Sequence, residues 1–164
     1  MAAMKVYIAG PDVFRPDAPD WAEAVRAQCL ALGFEALIPL DGDASTPAGI
    51  YASNIEMIHA ADVVVANLNP FRGVEPDSGT CFEIGFALAL GKKVIGYIRS
   101  PELLRDRVER LQGCPLDIHG DFALDSNGLR VENFGLSLNL MLAVPVQLVL
   151  GLEQALQAVA EIRS

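Results

Sequence analysis

Only two histidines, three cysteines and one tryptophan occur in the 164 residues. His59 and His119 are too few for a zinc site or a Ser-His-Asp triad, so neither chemistry is expected, and no metal. Cys29, Cys81 and Cys114 form an odd set without metal-ligand spacing, which fits a reducing compartment. No apolar run approaches the roughly 20 residues of a membrane span. The opening MAAMKVYIAG enters a strand without the layout of a signal peptide. The expectation is a soluble cytoplasmic protein with no membrane partner. Positive charge is also scarce: 12 Lys and Arg stand against 21 Asp and Glu, a formal net charge of −9. That argues against a nucleic-acid partner, whose phosphate backbone needs a cationic surface. It leaves room for a small nucleoside or nucleotide in a local pocket.

What is present is a globular composition, 52% hydrophobic and 20% charged, suited to a single domain over residues 1–164. Residues 5–10 read as a strand ending at Gly10-Pro11. Residues 18–32 carry Trp21, Val25, Cys29 and Leu32 at helical spacing, with Gly33 as a stop. A second strand is expected at 34–40, a helix at 50–60 with Ile55, Met57 and Ile58 inward, and a strand buried on both faces at 62–68. After a long loop, a helix capped by Ser78 leads to a fourth strand at 92–98. Residues 101–135 suggest a short charged helix and a small strand pair; residues 136–162 read as helix, bent or broken near Pro145 and Gly151.

The alternation predicts an α/β fold, a Rossmann-like (flavodoxin-type), mainly parallel sheet flanked by helices. With strand order 2-1-3-4, the loops AGPDVF and NLNPFRGVEPDSGT face one crevice beyond the strand ends, where such sheets bind ligands. The helix from Ser78 starts there. Its single acid, Glu83, is the only charge from Ser78 to Gly91. Burying a carboxylate costs several kcal/mol unless something compensates. The plainer reading is a charge at a surface edge or in a buried ion pair. Asp77, at the mouth of the helix, reads alone as a capping acid. Together, two acids at one crevice suggest chemistry at an acetal-like carbon such as a sugar C1′, one attacking and one managing the leaving group's proton.

YIAGPDVF (7–14), NIEMIHAADVVVANLNPFRG (54–73), PDSGTCFEIGFALALGKKVIGY (76–97) and ENFGLSLNLMLA (132–143) together resemble the nucleoside 2-deoxyribosyltransferase family over nearly the whole chain. The resemblance implies exchange of the base of a 2′-deoxynucleoside for a free nucleobase, without a cofactor. It also implies a homodimer or higher even-numbered homo-oligomer with sites shared between subunits. It casts Glu83 as the nucleophile that forms a deoxyribosyl ester, Asp77 as a base contact that assists protonation, and Tyr7 as a hydroxyl touching the nucleophile. Asn139 falls where the family reaches the 5′ end of the sugar in the neighbouring subunit. Met141, two positions on, is a further candidate lining residue or an ordinary core methionine. Where well-studied members have an aspartate, this chain has Asn54; an amide transfers no proton, so Asn54 is expected to position substrate only.

Other candidates for binding are Gly10, Asp12 and Phe14 in the first loop, with Asp12 and Phe14 meeting the base, and Phe71 and Gly79 beyond the third strand. Arg72 is expected to bind an anion or pair with Glu75 or Asp77. Residues 99–110 read as a solvated helical face, and His59 and Asp62 as structural. An apolar helix over residues 136–152 would suggest an oligomer interface. The alternatives are an N-glycosidase acting on deoxynucleosides or their 5′-monophosphates, and a nucleoside- or nucleotide-sensing module without turnover. A phosphoribohydrolase ranks lower, because Asp77-Ser78 stand where its motif has paired glycines.

Overall fold

Strand β1 (Met4–Ala9) is buried on both faces, and its alternate residues serve two different cores. The computed structural model describes residues 3–163. Val6 and Ile8 face α1 (Ala18–Ala31) and α6 (Gly151–Arg163), while Tyr7 and Ala9 face α2 (Pro47–Ala60) and α3 (Ser78–Ala89). β3 (Val63–Asn67) splits the same way: Val63 and Val65 turn to one core, Val64 and Ala66 to the other. A β-branched run with both faces covered is what a central parallel strand requires.

Five parallel strands lie in the order β2-β1-β3-β4-β7, where β2 is Phe34–Leu37, β4 is Lys93–Ile98 and β7 is Gln147–Leu150. This is the flavodoxin order, with the switch point between β1 and β3. As expected, α4 (Leu104–Gln112) and an antiparallel pair, β5 (Asp117–His119) and β6 (Phe122–Leu124), fill the stretch after β4. Among the described residues no helix is long and apolar enough to cross a membrane.

The C-terminal reading needs correcting. Residues 136–150 are not a helix: only α5 (Leu140–Ala143) is helical there, and the chain then enters β7, which pairs with β4 from Ile95↔Gln147 to Ile98↔Leu150, before α6 begins at Gly151. A continuous apolar run reads equally well as helix or buried strand, and here the open edge of β4 decides. No long apolar helix is present there to form the expected oligomer interface. Two smaller corrections follow. β2 ends at Leu37, and α2 starts at Pro47, where the Gly49 N–H donates to Thr46 Oγ1 at 3.2 Å.

Residues 99–110 are also not uniformly solvated, because Arg107 is only 2% exposed. It falls on the apolar stripe of α4 with Leu104 and Val108, and its guanidinium donates to the carbonyls of Val74, Glu102 and Ser137. Three separate segments are thereby tied to one side chain. One of them carries the approach to α3 and another the approach to α5.

Candidate active site

The first turn of α3 is built by Asp77, which takes the N-cap position assigned above to Ser78. Its Oδ2 accepts from the Thr80 N–H at 2.9 Å and the Thr80 hydroxyl at 3.0 Å. Both of these bonds fall on one oxygen, and among the described residues Oδ1 receives none. Thr80, Ile84 and Ala87 form the buried stripe of α3. Glu83, beside Ile84, lies at the edge of that stripe and is half-buried.

Tyr7 points to the same place because the period of β1 turns it away from Val6 and Ile8. Its ring is fully buried, and its hydroxyl donates to Glu83 Oε1 at 2.6 Å. Burial pushes the Glu83 carboxyl up to about 7; the Tyr7 hydrogen bond works against this, and the Asp77 charge adds to it. Burial, then the Glu83 charge and hydrogen bond, hold the Tyr7 phenol well above its ordinary value, so it remains a donor.

Glu83, Asp77 and Asn54 are the polar side chains, beside the Thr80 hydroxyl, of a cavity of about 430 Å³, a usual size for a small-molecule site. The remaining wall is apolar or backbone: Val13, Phe14, Pro39, Leu40 and Ile50, with Gly10, Gly42, Ala44 and Gly79. Gly10 has φ 157°, and a Cβ there would lie 2.8 Å from the Asn67 Cβ. At Gly79 a Cβ would crowd the capping oxygen of Asp77 at 3.1 Å. The Asn54 Oδ1 is buried without a hydrogen-bond partner among the described residues. An unsatisfied buried acceptor costs about 1–3 kcal/mol, which a donor on a bound molecule would recover.

The structure therefore gathers Glu83, Asp77, Gly10, Phe14, Asn54 and Gly79 around one cavity, with Tyr7 behind Glu83. Four other candidates lie elsewhere. Asn139 and Met141 line a second cavity of about 470 Å³ with Glu75, Cys81, Ile84, Gly85, Leu88 and Leu142. Asn139 caps α5 through Oδ1 to the Met141 N–H and donates from Nδ2 to Glu132 at 2.6 Å. Asp12 is turned to the strand ends: it accepts from Asn67 Nδ2 at 2.7 Å and lies 3.8 Å from Arg15. Phe71 stacks on Phe14, with centroids 5.6 Å apart. Arg72 forms no ion pair with Glu75 or Asp77; its guanidinium lies over Phe71 and Phe14 instead.

Several contributors escaped the sequence reading. Thr80 orients Asp77, and the Asp-x-x-Thr spacing of a capping motif was the available signal. Asn67, 6% exposed at the end of β3, anchors Asp12 and Asn69. Pro39, Leu40 and Ile50 carried no signal, since they come together only through the turn after β2.

The chain is similar to known proteins over most of its length. The family model described as nucleoside 2-deoxyribosyltransferase matches residues 6–141. A solved 2-desoxiribosyltransferase from Leishmania mexicana is similar over 96% of this chain and 97% of that one, with 36% identity and a TM-score of 0.79. An uncharacterized protein of Schizosaccharomyces pombe is 28% identical over 155 residues, 83% of this chain and 74% of its own length. With the match covering Tyr7, Asp77 and Glu83 together, the chain belongs to the nucleoside 2-deoxyribosyltransferase family and is an enzyme.

Proposed function

We propose that this enzyme moves the 2-deoxyribosyl group between nucleobases by a retaining double displacement through Glu83, with residues 1–164 acting as one domain. The observation that carries the reading is a single half-buried carboxylate, fixed by the Tyr7 hydroxyl at 2.6 Å, in a cavity whose second acid is Asp77. A Glu83 oxygen bonds to C1′ as the N-glycosidic bond breaks. The electron pair leaves on the base nitrogen, which takes a proton from Asp77 or from water. A second base then attacks C1′, the ester bond breaks, its electrons return to Glu83, and the incoming base gives up its N–H proton to Asp77 or solvent. Proton and carboxylate chemistry balance the cycle, so no cofactor enters it. Phe14 and the apolar wall suit the face of a base, and Asn54 supplies a hydrogen bond. The three free cysteines suit a cytoplasmic setting.

Asn139 and Met141 do not share their own chain's cavity with Glu83. If they reach the sugar, they reach that of a partner subunit in a homodimer or larger even-numbered assembly. Glu132 and Glu75 stand beside Asn139, and two acids there suit a 5′-hydroxyl better than a 5′-phosphate.

The test is product analysis after incubating a 2′-deoxynucleoside with a different free base, alongside Glu83→Ala. A new deoxynucleoside made by the parent alone supports transfer through Glu83. Free base and deoxyribose without exchange would replace this reading by the N-glycosidase, and binding without products would replace it by the sensing module.

A further inference from the structure

Arg72 is the one non-glycine residue with positive φ, 55°, among the described residues. A long side chain is strained in that conformation and persists there only where its surroundings enforce it. The surroundings are aromatic. The guanidinium lies 4.6 Å from the centroid of Phe71 and 5.3 Å from that of Phe14, and the two rings stack at an interplanar angle of 15°. The loop is closed beneath them by the Phe71 N–H donating to the Glu75 carbonyl at 3.0 Å. Among the described residues no carboxylate lies within ion-pair distance of Arg72. Its cation is spent on the rings.

Phe14 is the member of this stack that lines the cavity of Glu83, and it is 60% exposed. A phenyl ring so open to solvent at the mouth of a site, backed by a second ring and a cation, is a wall kept in position from behind. Resting on the transferase reading above, we propose that Arg72 is a positioning residue that holds Phe14 over the deoxyribosyl ester and thereby directs it to a base instead of to water.

The two fates of the ester differ only in what attacks C1′. A base nitrogen gives a new nucleoside and loses its proton to Asp77 or solvent. A water oxygen gives free 2-deoxyribose, its proton passing to Asp77 or solvent. In both, the bond from C1′ to Glu83 breaks and the pair returns to the carboxylate. Water is far more concentrated than any free base, so transfer requires its exclusion. Most of the wall opposite the acids is apolar, which offers water few partners. Phe14 is the most exposed large apolar residue of that wall, at 60% against 43% for Ile50 and 40% for Leu40.

The experiment measures deoxyribose and new nucleoside together, for the parent, Arg72→Gly and Arg72→Lys, both without acceptor base and at saturating acceptor. Glycine suits the positive φ, so Arg72→Gly removes the guanidinium without adding backbone strain. The expected result is a rise of about two- to fivefold in the hydrolysis-to-transfer ratio, the worth of a cation–π contact at an exposed site. Deoxyribose release without acceptor should rise as well, with partial return toward the parent in Arg72→Lys. An unchanged ratio, or a parallel fall of both products, would overturn the proposal. A parent that forms no Glu83-dependent nucleoside would instead overturn the transferase reading beneath it.

Discussion

At Glu83 two demands oppose each other. The carboxylate has to be dry enough to attack carbon, yet ionised at the pH of the reaction. Burial raises its pKa to about 7, and the Tyr7 hydroxyl restrains that rise by donating to the charged form. The nucleophile acts as the anion, so kcat/KM should increase with pH and level off above an apparent pKa near 7. Tyr7→Phe removes a donor that favours the anion. Its rising limb should move to higher pH and its plateau should fall by about 10- to 100-fold. Asp77→Asn removes a like charge, so the limb should move to lower pH even though the rate drops. Limbs that coincide in all three proteins, measured from pH 5 to 9, would mean that another group controls the rate. Glu83 was legible in the sequence because a lone acid in an apolar helix breaks a pattern, whereas Tyr7 stood out only through the family resemblance. Arg72 was not legible: the rings that take its cation lie on two different loops, and nearby carboxylates made an ion pair the natural expectation.

Elements were legible where one local pattern dominates. α1 follows from its apolar stripe, and β1 and β3 from short apolar, β-branched runs bounded by loop residues. β7 was not, because LAVPVQLVL carries no alternation and the partner that makes it a strand is the edge of β4, some 50 residues earlier. Pro145 was read as a bend or break within one helix, whereas a residue without an N–H ends a short helix more readily than it bends a long one. In α4 the overlooked mark was Arg107, a basic residue occupying the apolar stripe. Its removal in Arg107→Met would leave the carbonyls of Val74, Glu102 and Ser137 without their donors, at a cost of about 3 kcal/mol or more in unfolding free energy. Arg107→Lys should recover only part of this, because one ammonium cannot reproduce the planar fork. Denaturant unfolding measures both. A Met variant as stable as the parent would show that these carbonyls find other partners.

At the scale of the whole molecule, the arrangement of cavities bears on assembly. α3 presents Glu83 to one cavity and Cys81, Ile84, Gly85 and Leu88 to the other, where Asn139 and Met141 lie. Met141 is 72% exposed and Val144 is 74% exposed, and Tyr51, Phe82 and Phe86 form a run of neighbouring rings across α2 and α3. Apolar surface of this kind, outside the cavity and on elements bordering it, is what a second subunit would cover. With a net charge of −9 two copies repel, so added salt should favour association by screening. If the sites are shared, Glu83 and Asn139 of one site come from different subunits, and two inactive variants can repair each other. Glu83→Ala supplies the Asn139 side, and Asn139→Ser supplies the Glu83 side while serine keeps the cap of α5. Co-refolded in equal amounts, they form mixed dimers for half of the molecules, each with one intact and one doubly altered site, so about a quarter of the parent's activity should return. The measurement is transferase activity before and after co-refolding, with sedimentation to confirm that dimers form. Dimers that form without regaining activity would place Asn139 outside the partner's site and leave each chain with a site of its own.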